Sequence, residues 1–385
     1  MKRIAIAGAG FSGAVLAQEL AQAGCQVDVF DTRAHIAGNC HTARDEATGV
    51  MVHTYGPHIF HTSNPEVWNY VQRFGEFMPF VNRVKAITGG RVYSLPLNLL
   101  TINQFFGRTD SPRQAEAFFQ QLARDASQDA GAPQNFEAQA LRLMGRELYE
   151  AFFRTYTLKQ WGTDATELPA SILKRLPVRF DYNDNYYASS YQGIPREGYT
   201  AVVARMLDHP GITVHLQRHF DRSQVAGYDH VFCSGPIDSW FNHVEGRLGY
   251  RTLDFVREDH EGDYQGNAVI NYCDASVPWT RISEHKHFAP WEDHATTVIF
   301  KEFSRACEAD DTPYYPIRLT EEKALLTHYV ARAREERGVT FVGRLGTYRY
   351  LDMHVAIAEA LAAAKHYVEG MGTQRTMPAF LQDPL

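Results

Sequence analysis

Several groups of residues in this 385-residue chain have types and spacings that could do chemistry. The first is Gly8-Ala9-Gly10-Phe11-Ser12-Gly13. In such a turn Gly8 permits the tight reversal, Gly10 lets backbone approach a pyrophosphate, and Gly13 lets a following helix pack closely. The N-terminus of that helix would offer unpaired N–H groups and partial positive charge to phosphates, with Phe11 and Ser12 of the turn also contacting the cofactor. Asp31 follows roughly 20 residues on, where a carboxylate can bind a ribose hydroxyl. The second group is His58-x-x-His61. It is half of a metal site, but no third ligand lies nearby at a suitable spacing, so no metal is expected. The third is Arg175 and Arg281. Two guanidiniums could neutralise a diphosphate through planar forks of donors, although for an isolated arginine a surface ion pair is the ordinary reading. Phe152 and Tyr156 lie one helical turn apart. A base could stack on their shared face, and core packing is the ordinary alternative.

These residues need elements to position them. Lys2–Ala7 reads as a strand, Ala14–Leu20 as a helix and Gln26–Asp31 as a second strand, so the glycine turn has its full context. The expected fold is α/β: a Rossmann-like FAD-binding domain with an inserted α-helical domain and an antiparallel β-sheet domain. The first would comprise residues 1–78, 195–245 and 337–385. The helical insert would run over 99–178, and the sheet domain over 79–98, 179–194 and 246–336. Phe80–Ile87, Gly89-Gly90 and Arg91–Leu95 signal a hairpin. Leu141, Met144, Leu148 and Phe152 recur at helical spacing, after a breaker at Gly131-Ala132-Pro133. Trp161-Gly162 reads as a helix end running into a loop. Ile212–Leu216, His230–Cys233 and Val339–Arg344 read as strands returning to the first sheet, and His354–Val368 as a final helix. A nucleotide turn near the N-terminus, with a strand and helix returning at 343–352, favours FAD over NAD. In such folds the late helix aims its N-terminal charge at the flavin.

Bulk properties exclude some classes. With 38 Lys+Arg against 45 Asp+Glu, the net charge is −7. That argues against a general nucleic-acid or membrane-surface binder. Five scattered cysteines form no C-x-x-C and suit a reducing compartment, read as the cytoplasm. No apolar run is long enough to cross a membrane. The composition is 44% apolar, with 20 Tyr and 23 Phe, enough for a large aromatic core or a stacking-rich pocket.

Longer motifs then carry a resemblance over essentially the whole chain. They are His35-Ile36-x-Gly38-Asn39, Tyr55-Gly56-Pro57-His58-Ile59-Phe60-His61-Thr62, Tyr156-Thr157-x-Lys159-Gln160-Trp161, Ile172–Arg179 and Gly343-Arg344-Leu345-Gly346-x-Tyr348-x-Tyr350-x-Asp352-Met353. With the glycine turn, these make the chain similar to the bacterial UDP-galactopyranose mutase family. Ala37 departs from the family's commoner glycine, and Asp31 from its commoner glutamate.

The resemblance implies isomerisation of UDP-galactopyranose to UDP-galactofuranose. Reduced FAD would supply N5 as nucleophile at the anomeric carbon, with no net redox change. An unidentified reductant is implied, NAD(P)H being one candidate, as is a homodimer. Site roles come from the same resemblance. Arg175 and Arg281 would bind the diphosphate and stabilise departing UDP. Phe152 and Tyr156 would stack the uracil. Trp161 would lie on a mobile loop over the sugar, with Gly162 as hinge. Asn82, Thr157, Tyr186, Asn271, Tyr315 and Tyr350 would contact substrate, with Tyr187 competing for the role of Tyr186. His58, Ile59, Asn39, Phe220, Arg344 and Met353 would contact FAD, with His61 near N5. Asp352 would support the site, capping the last helix being its default role. Two alternatives stand beside this reading: a flavin oxidoreductase of the amine-oxidase type, and a non-catalytic nucleotide-sugar binder with vestigial FAD.

Overall fold

The computed structural model describes residues 1–126, 132–175, 178–373 and 376–385, and their side chains except those of 126, 171, 174, 175, 320 and 321. Gly131 of the expected breaker, and Leu176-Pro177 within the Ile172–Arg179 motif, lie outside the described residues.

Five parallel strands form the first sheet, in the order 212–215, 26–30, 3–7, 230–233, 339–341. Strand Arg3–Ala7 shows how a doubly covered strand reads in sequence. Ile4 and Ile6 face the core under the first helix, Phe11–Gln22, and the last, Met353–Gly370. Ala5 faces a second core with Tyr329, Val330 and Ala333 of helix Thr320–Glu335. Both faces are apolar, as buried parallel strands require. The final strand is shorter than its sequence suggests. It ends at Phe341, and Gly343–Gly346 makes one helical turn instead.

The second sheet has seven strands, in the order 315–316, 250–261, 296–306, 281–284, 269–272, 84–88, 91–95. The Val84–Leu95 hairpin turns at Gly89-Gly90, both with positive φ. The pairing is antiparallel except between 269–272 and 84–88, which are parallel. The expected antiparallel sheet thus contains one parallel pair. A long helical excursion, not a hairpin, separates the two strands, so no turn forces them antiparallel.

Strand Tyr191–Pro195 pairs with Phe60–Thr62 and Phe77–Pro79 in a small third sheet. Residues 191–194 therefore leave the large sheet, with which 179–194 were grouped. The helical block runs through Leu99–Phe106, Pro112–Ala126, Phe136–Leu148 and Thr155–Trp161. Asn98 and Asn135 start two of these helices by accepting from Thr101 and Ala138 N–H. Leu99, Ile102, Phe119, Phe136, Met144 and Leu148 share a core with Val84, Tyr93 and Leu95 of the hairpin.

Candidate active site

The first sheet opens at its C-terminal edge into a cavity of about 410 Å³. Its lining includes Gly8, Gly10, Phe11, Ser12, Asp31, Asn39, His58, Phe220, Arg344 and Met353. Local sequence builds this cradle. Gly8 has φ +112°, and a Cβ there would sit 2.1 Å from Ser234 Oγ. A Cβ on Gly13 would sit 1.9 Å from the Gly8 carbonyl oxygen, so Gly13 packs the helix onto the turn and does not line the cavity. Gly10 faces Gly38, where a Cβ would come within 3.3 Å of the Gly10 Cα. The first helix has no side-chain cap, which leaves its N-terminal N–H groups for a ligand. Asp31 accepts from Ala9 N–H and Arg33 N–H at 2.9 Å each, so its carboxylate is held at the cavity wall. Arg33 bonds Asn39 Oδ1 at 2.7 Å. The donor set and the backbone cradle fit a dinucleotide pyrophosphate.

Arg344 gives Nε and Nη2 to the Leu351 carbonyl and Nη1 to that of Tyr314. Two of its five N–H donors remain for a phosphate. Its guanidinium also lies 5.5 Å from the Tyr315 ring centre and 5.1 Å from that of Tyr350. Those rings stack at 5.4 Å and 15°. His58 bonds the Gly56 carbonyl through Nδ1 at 2.9 Å. Burial lowers its pKa to about 4, and the Arg344 and Arg281 charges push the same way.

A second cavity of about 110 Å³ is lined by Phe152, Tyr156, Thr157, Trp161, Tyr186 and Asn271 among others. Asn271, Arg281 and Glu302 stand opposite one another on three neighbouring strands. Arg281 Nε bonds the fully buried Glu302 at 2.7 Å. Burial opposes the Arg281 charge, but Glu302, Tyr156 and Tyr315 outweigh it and hold Arg281 well above its ordinary range. Burial raises the phenols of Tyr156, Tyr187 and Tyr315, the last to about 12, and Arg281 pulls each back. Each phenol therefore remains a neutral donor. Arg281, Tyr315 and Tyr350 line neither cavity, but Arg344 of the first lies over the Tyr315 and Tyr350 rings, and the Arg281 charge acts on His58 of the first and Tyr156 of the second.

Several expected residues fall elsewhere. Ile59 is buried in the core under the hairpin and does not line the cofactor cavity; its motif neighbour His58 does. Asn82 lines neither cavity. It is buried, its carbonyl accepts from Tyr186 N–H at 2.8 Å, and its Oδ1 has no partner among the described residues. Trp161 is on no loop: it is the last residue of helix Thr155–Trp161, and Gly162 ends that helix with φ +70°. The preceding Gln160 carbonyl accepts from Arg251 Nε at 3.1 Å and Ser304 Oγ at 2.6 Å, which pins this end to the large sheet. Asp352 takes the N-cap position, but its side chain accepts no capping bond. Its carboxylate instead lies with His61 and His354, donor atoms within 4.8 Å of one another. The reading of His58-x-x-His61 looked for a third ligand nearby in sequence; the fold brings His61 two from the far end of the chain. Arg175 ends the short helix Ala170–Arg175, and its side chain lies outside the described ones.

Sequence reasoning missed Glu302 and any role for Lys159, and left Tyr187 as a competitor of Tyr186. Tyr187 stacks on His61 at 3.8 Å and 12°, whereas Tyr186 lines the second cavity. Lys159 Nζ lies 2.6–3.2 Å from the carbonyls of Tyr272, Asp274, Val277 and Trp279. An acid two residues after Phe300, on the same face of a core strand, was the available signal for Glu302.

This fold and these paired cavities define a Rossmann-type dinucleotide-binding enzyme with inserted helical and sheet blocks. A family model described as UDP-galactopyranose mutase matches residues 151–350, and one described as an NAD(P)-binding Rossmann-like domain matches 6–74. A probable UDP-galactopyranose mutase of Klebsiella pneumoniae is 55% identical over 379 residues, 98% of each chain. A dTDP-fucopyranose mutase of Escherichia coli is 48% identical, over 96% of this chain and 99% of its own. In fold, the chain matches a crystal structure of reduced UDP-galactopyranose mutase with a TM-score of 0.76, over 96% of this chain and 94% of that one, at 14% identity. The chain belongs to the UDP-galactopyranose mutase family and is an isomerase.

Proposed function

We propose that this protein converts UDP-galactopyranose to UDP-galactofuranose, with FAD in the first cavity and active only when reduced. The observation that carries the reading is the cationic, phenol-rich cluster of Arg281, Tyr156, Tyr315 and Tyr350, in which Tyr156 lines the second cavity and Arg344 of the first lies over the Tyr315 and Tyr350 rings. An oxidoreductase tunnel would want apolar walls there. When bound, reduced FAD supplies a nucleophilic N5 for the anomeric carbon, with no net electron transfer over a cycle. The chain's own residues do the rest. Arg281, with Arg175, neutralises the diphosphate and stabilises UDP as it leaves. Neutral Tyr186, Tyr315 and Tyr350 donate to phosphate oxygens without competing charge. Phe152 and Tyr156 stack the uracil, Thr157 and Asn271 bond the nucleotide sugar, and Trp161 shields the sugar from water. Met353 lines the cofactor cavity at the start of the last helix, so that helix's N-terminal charge favours an anionic reduced flavin. His61 and Asp352 hold a proton at the same edge.

The test is to incubate purified protein with UDP-galactofuranose, with and without dithionite, and chromatograph the products. Conversion only after reduction is expected. No conversion in either state, with flavin bound, would sink the proposal. The 48% relative supports a second substrate, dTDP-fucopyranose; running both nucleotide sugars in parallel ranks them by kcat/KM. The three-part division set out above, a cytoplasmic location and a homodimer belong to the same proposal, the last checked by light scattering. In the described residues no helix is long and apolar enough to cross a membrane.

A further inference from the structure

We infer that Gln160 bonds the ribose hydroxyls of the substrate and so gives the second cavity a preference for a ribonucleotide. The inference rests on the nucleotide placement proposed above and names the residue that reads its pentose. Gln160 lines the second cavity and is partly buried. Its backbone carbonyl is engaged by Arg251 and Ser304, but its side-chain amide forms no hydrogen bond among the described residues. Polar groups held away from water are normally paired. Much of the cavity wall, including Leu95, Pro96, Leu97 and Phe136, offers no polar side chain to pair with it.

Helix and sheet together set its place along the nucleotide. Tyr156 and Gln160 both belong to helix Thr155–Trp161. They are one turn apart on one face, with Cβ atoms about 5–6 Å apart. The Gln160 carbonyl ties its turn to Ser304 at 2.6 Å. Ser304 follows Glu302 by two residues on strand Thr296–Ala306, so the two share a face. Glu302 in turn bonds Arg281 at 2.7 Å. Gln160 therefore stands with the base stack of Phe152 and Tyr156 on one side and the Arg281 charge on the other. In a nucleoside diphosphate the group between base and diphosphate is the ribose. Asn271, the other amide of the lining, pairs with Arg281 in the strand register and so stands on the diphosphate side.

A carboxamide suits a ribose diol because it carries donor and acceptor in one plane. Nε2–H donates to one hydroxyl while Oε1 accepts from the other. A 2′-deoxyribose leaves one of them unpaired, and a site built to bond a hydroxyl rejects the analogue that lacks it. Of the two nucleotide sugars considered above, Gln160 thereby favours the uridine one over the deoxythymidine one.

Calorimetric titration of the FAD-loaded protein with UDP and with 2′-deoxy-UDP tests this without turnover. Deoxy-UDP changes the 2′ position alone, whereas dTDP also adds a methyl group to the base. The natural protein should bind UDP roughly 10-fold more tightly than deoxy-UDP, the worth of about one hydrogen bond. Gln160→Met, similar in length but without the amide, should bind the two alike, with flavin content unchanged. Gln160→Asn, which draws the amide back by one methylene, carries the same expectation should the Met variant not fold. A 10-fold preference that survives in these variants would overturn the inference, because the discrimination would then lie elsewhere. Equal binding of UDP and deoxy-UDP by the natural protein would overturn it too, and would leave the proposed nucleotide site standing. Failure of UDP to bind the natural protein at all would overturn that site and the inference together.

Discussion

The two cavities are built by different means. The dinucleotide cradle is largely main chain: a glycine turn, a free helix N-terminus and the facing glycines Gly10 and Gly38. The second chamber is side chain throughout. Its walls come from the helical block, the tyrosine-rich segment before 191 and the large sheet, and its charge rests on one cross-strand row. A main-chain site must meet its steric conditions within a few residues, so it tolerates almost no added atom. A side-chain site can be assembled from anywhere in the fold, and it depends on whatever holds its supports still.

The sharpest way to break this contrast is at Gly13. A Cβ there meets a backbone oxygen at 1.9 Å, which no side-chain rotation can relieve. Gly13→Ala should cost about 3 kcal/mol or more through overpacking, more than a hundredfold in flavin affinity. The purified variant should be colourless. A yellow, normally stable Gly13→Ala protein would show that the cradle gives way more easily than its geometry implies.

The same contrast governs how much was legible beforehand. The cradle could be read from spacing alone, because Gly8, Gly10, Gly13 and Asp31 each answer a local steric or bonding need. The chamber could not. Arg281 lies 125 residues from Tyr156 and is indistinguishable from a surface arginine until the strand register puts it between Asn271 and Glu302. Only the resemblance to a family gave it a role. Tertiary context also overrode local rules. Trp161-Gly162 reads correctly as a helix end, but the mobile loop that the resemblance implies there is a helix terminus pinned by carbonyl contacts to Arg251 and Ser304. Asp352 reads as a cap, yet it turns to two histidines that no sequence window contains together.

In the chamber the largest effect should follow Arg281→Lys. Lysine keeps a charge for buried Glu302 but loses the planar fork. Removing one such donor from a developing negative charge costs on the order of 10²–10³ in kcat. The flavin spectrum should not change, because the cradle does not use Arg281. If flavin binding and turnover fell together, the two cavities would be one structural unit and the contrast would fail.

A smaller effect should come from Lys159→Met. The ammonium gathers four carbonyls of the 272–279 segment and so fixes the helix that carries Tyr156, Thr157 and Trp161. Leaving buried carbonyls unpaired costs about 1–3 kcal/mol, and an ångström of misplacement can cost about 100-fold in rate. We expect a fall in kcat/KM of about 10–100-fold, seen mainly as a raised KM, with flavin content unchanged. An unaltered KM beside a lowered melting temperature would make Lys159 a stabilising residue with no positioning role.

The smallest effect should be at Ala37, where the cradle carries a side chain in a glycine-like conformation. Its φ is +73°, in the left-handed region, and its methyl is 1% exposed in the first core. Left-handed backbone costs a non-glycine residue roughly 1–2 kcal/mol, which Ala37→Gly would recover. Against that stand about 0.4–1 kcal/mol of unfolded-chain entropy and about 0.8 kcal/mol of buried methyl. These terms nearly cancel, so thermal melts should shift by no more than about 4 °C and flavin content should hold. The Ala37 N–H bond to the Ala9 carbonyl, at 2.9 Å, is kept in either case. A Cβ at Gly13 and the Cβ at Ala37 therefore separate two meanings of a glycine-rich site. At Gly13 the obstacle is a neighbouring atom, whereas at Ala37 it is a torsion angle. A change above about 1.5 kcal/mol at Ala37 would mean that torsion alone can rule the cradle, and that its intolerance is not only a matter of space.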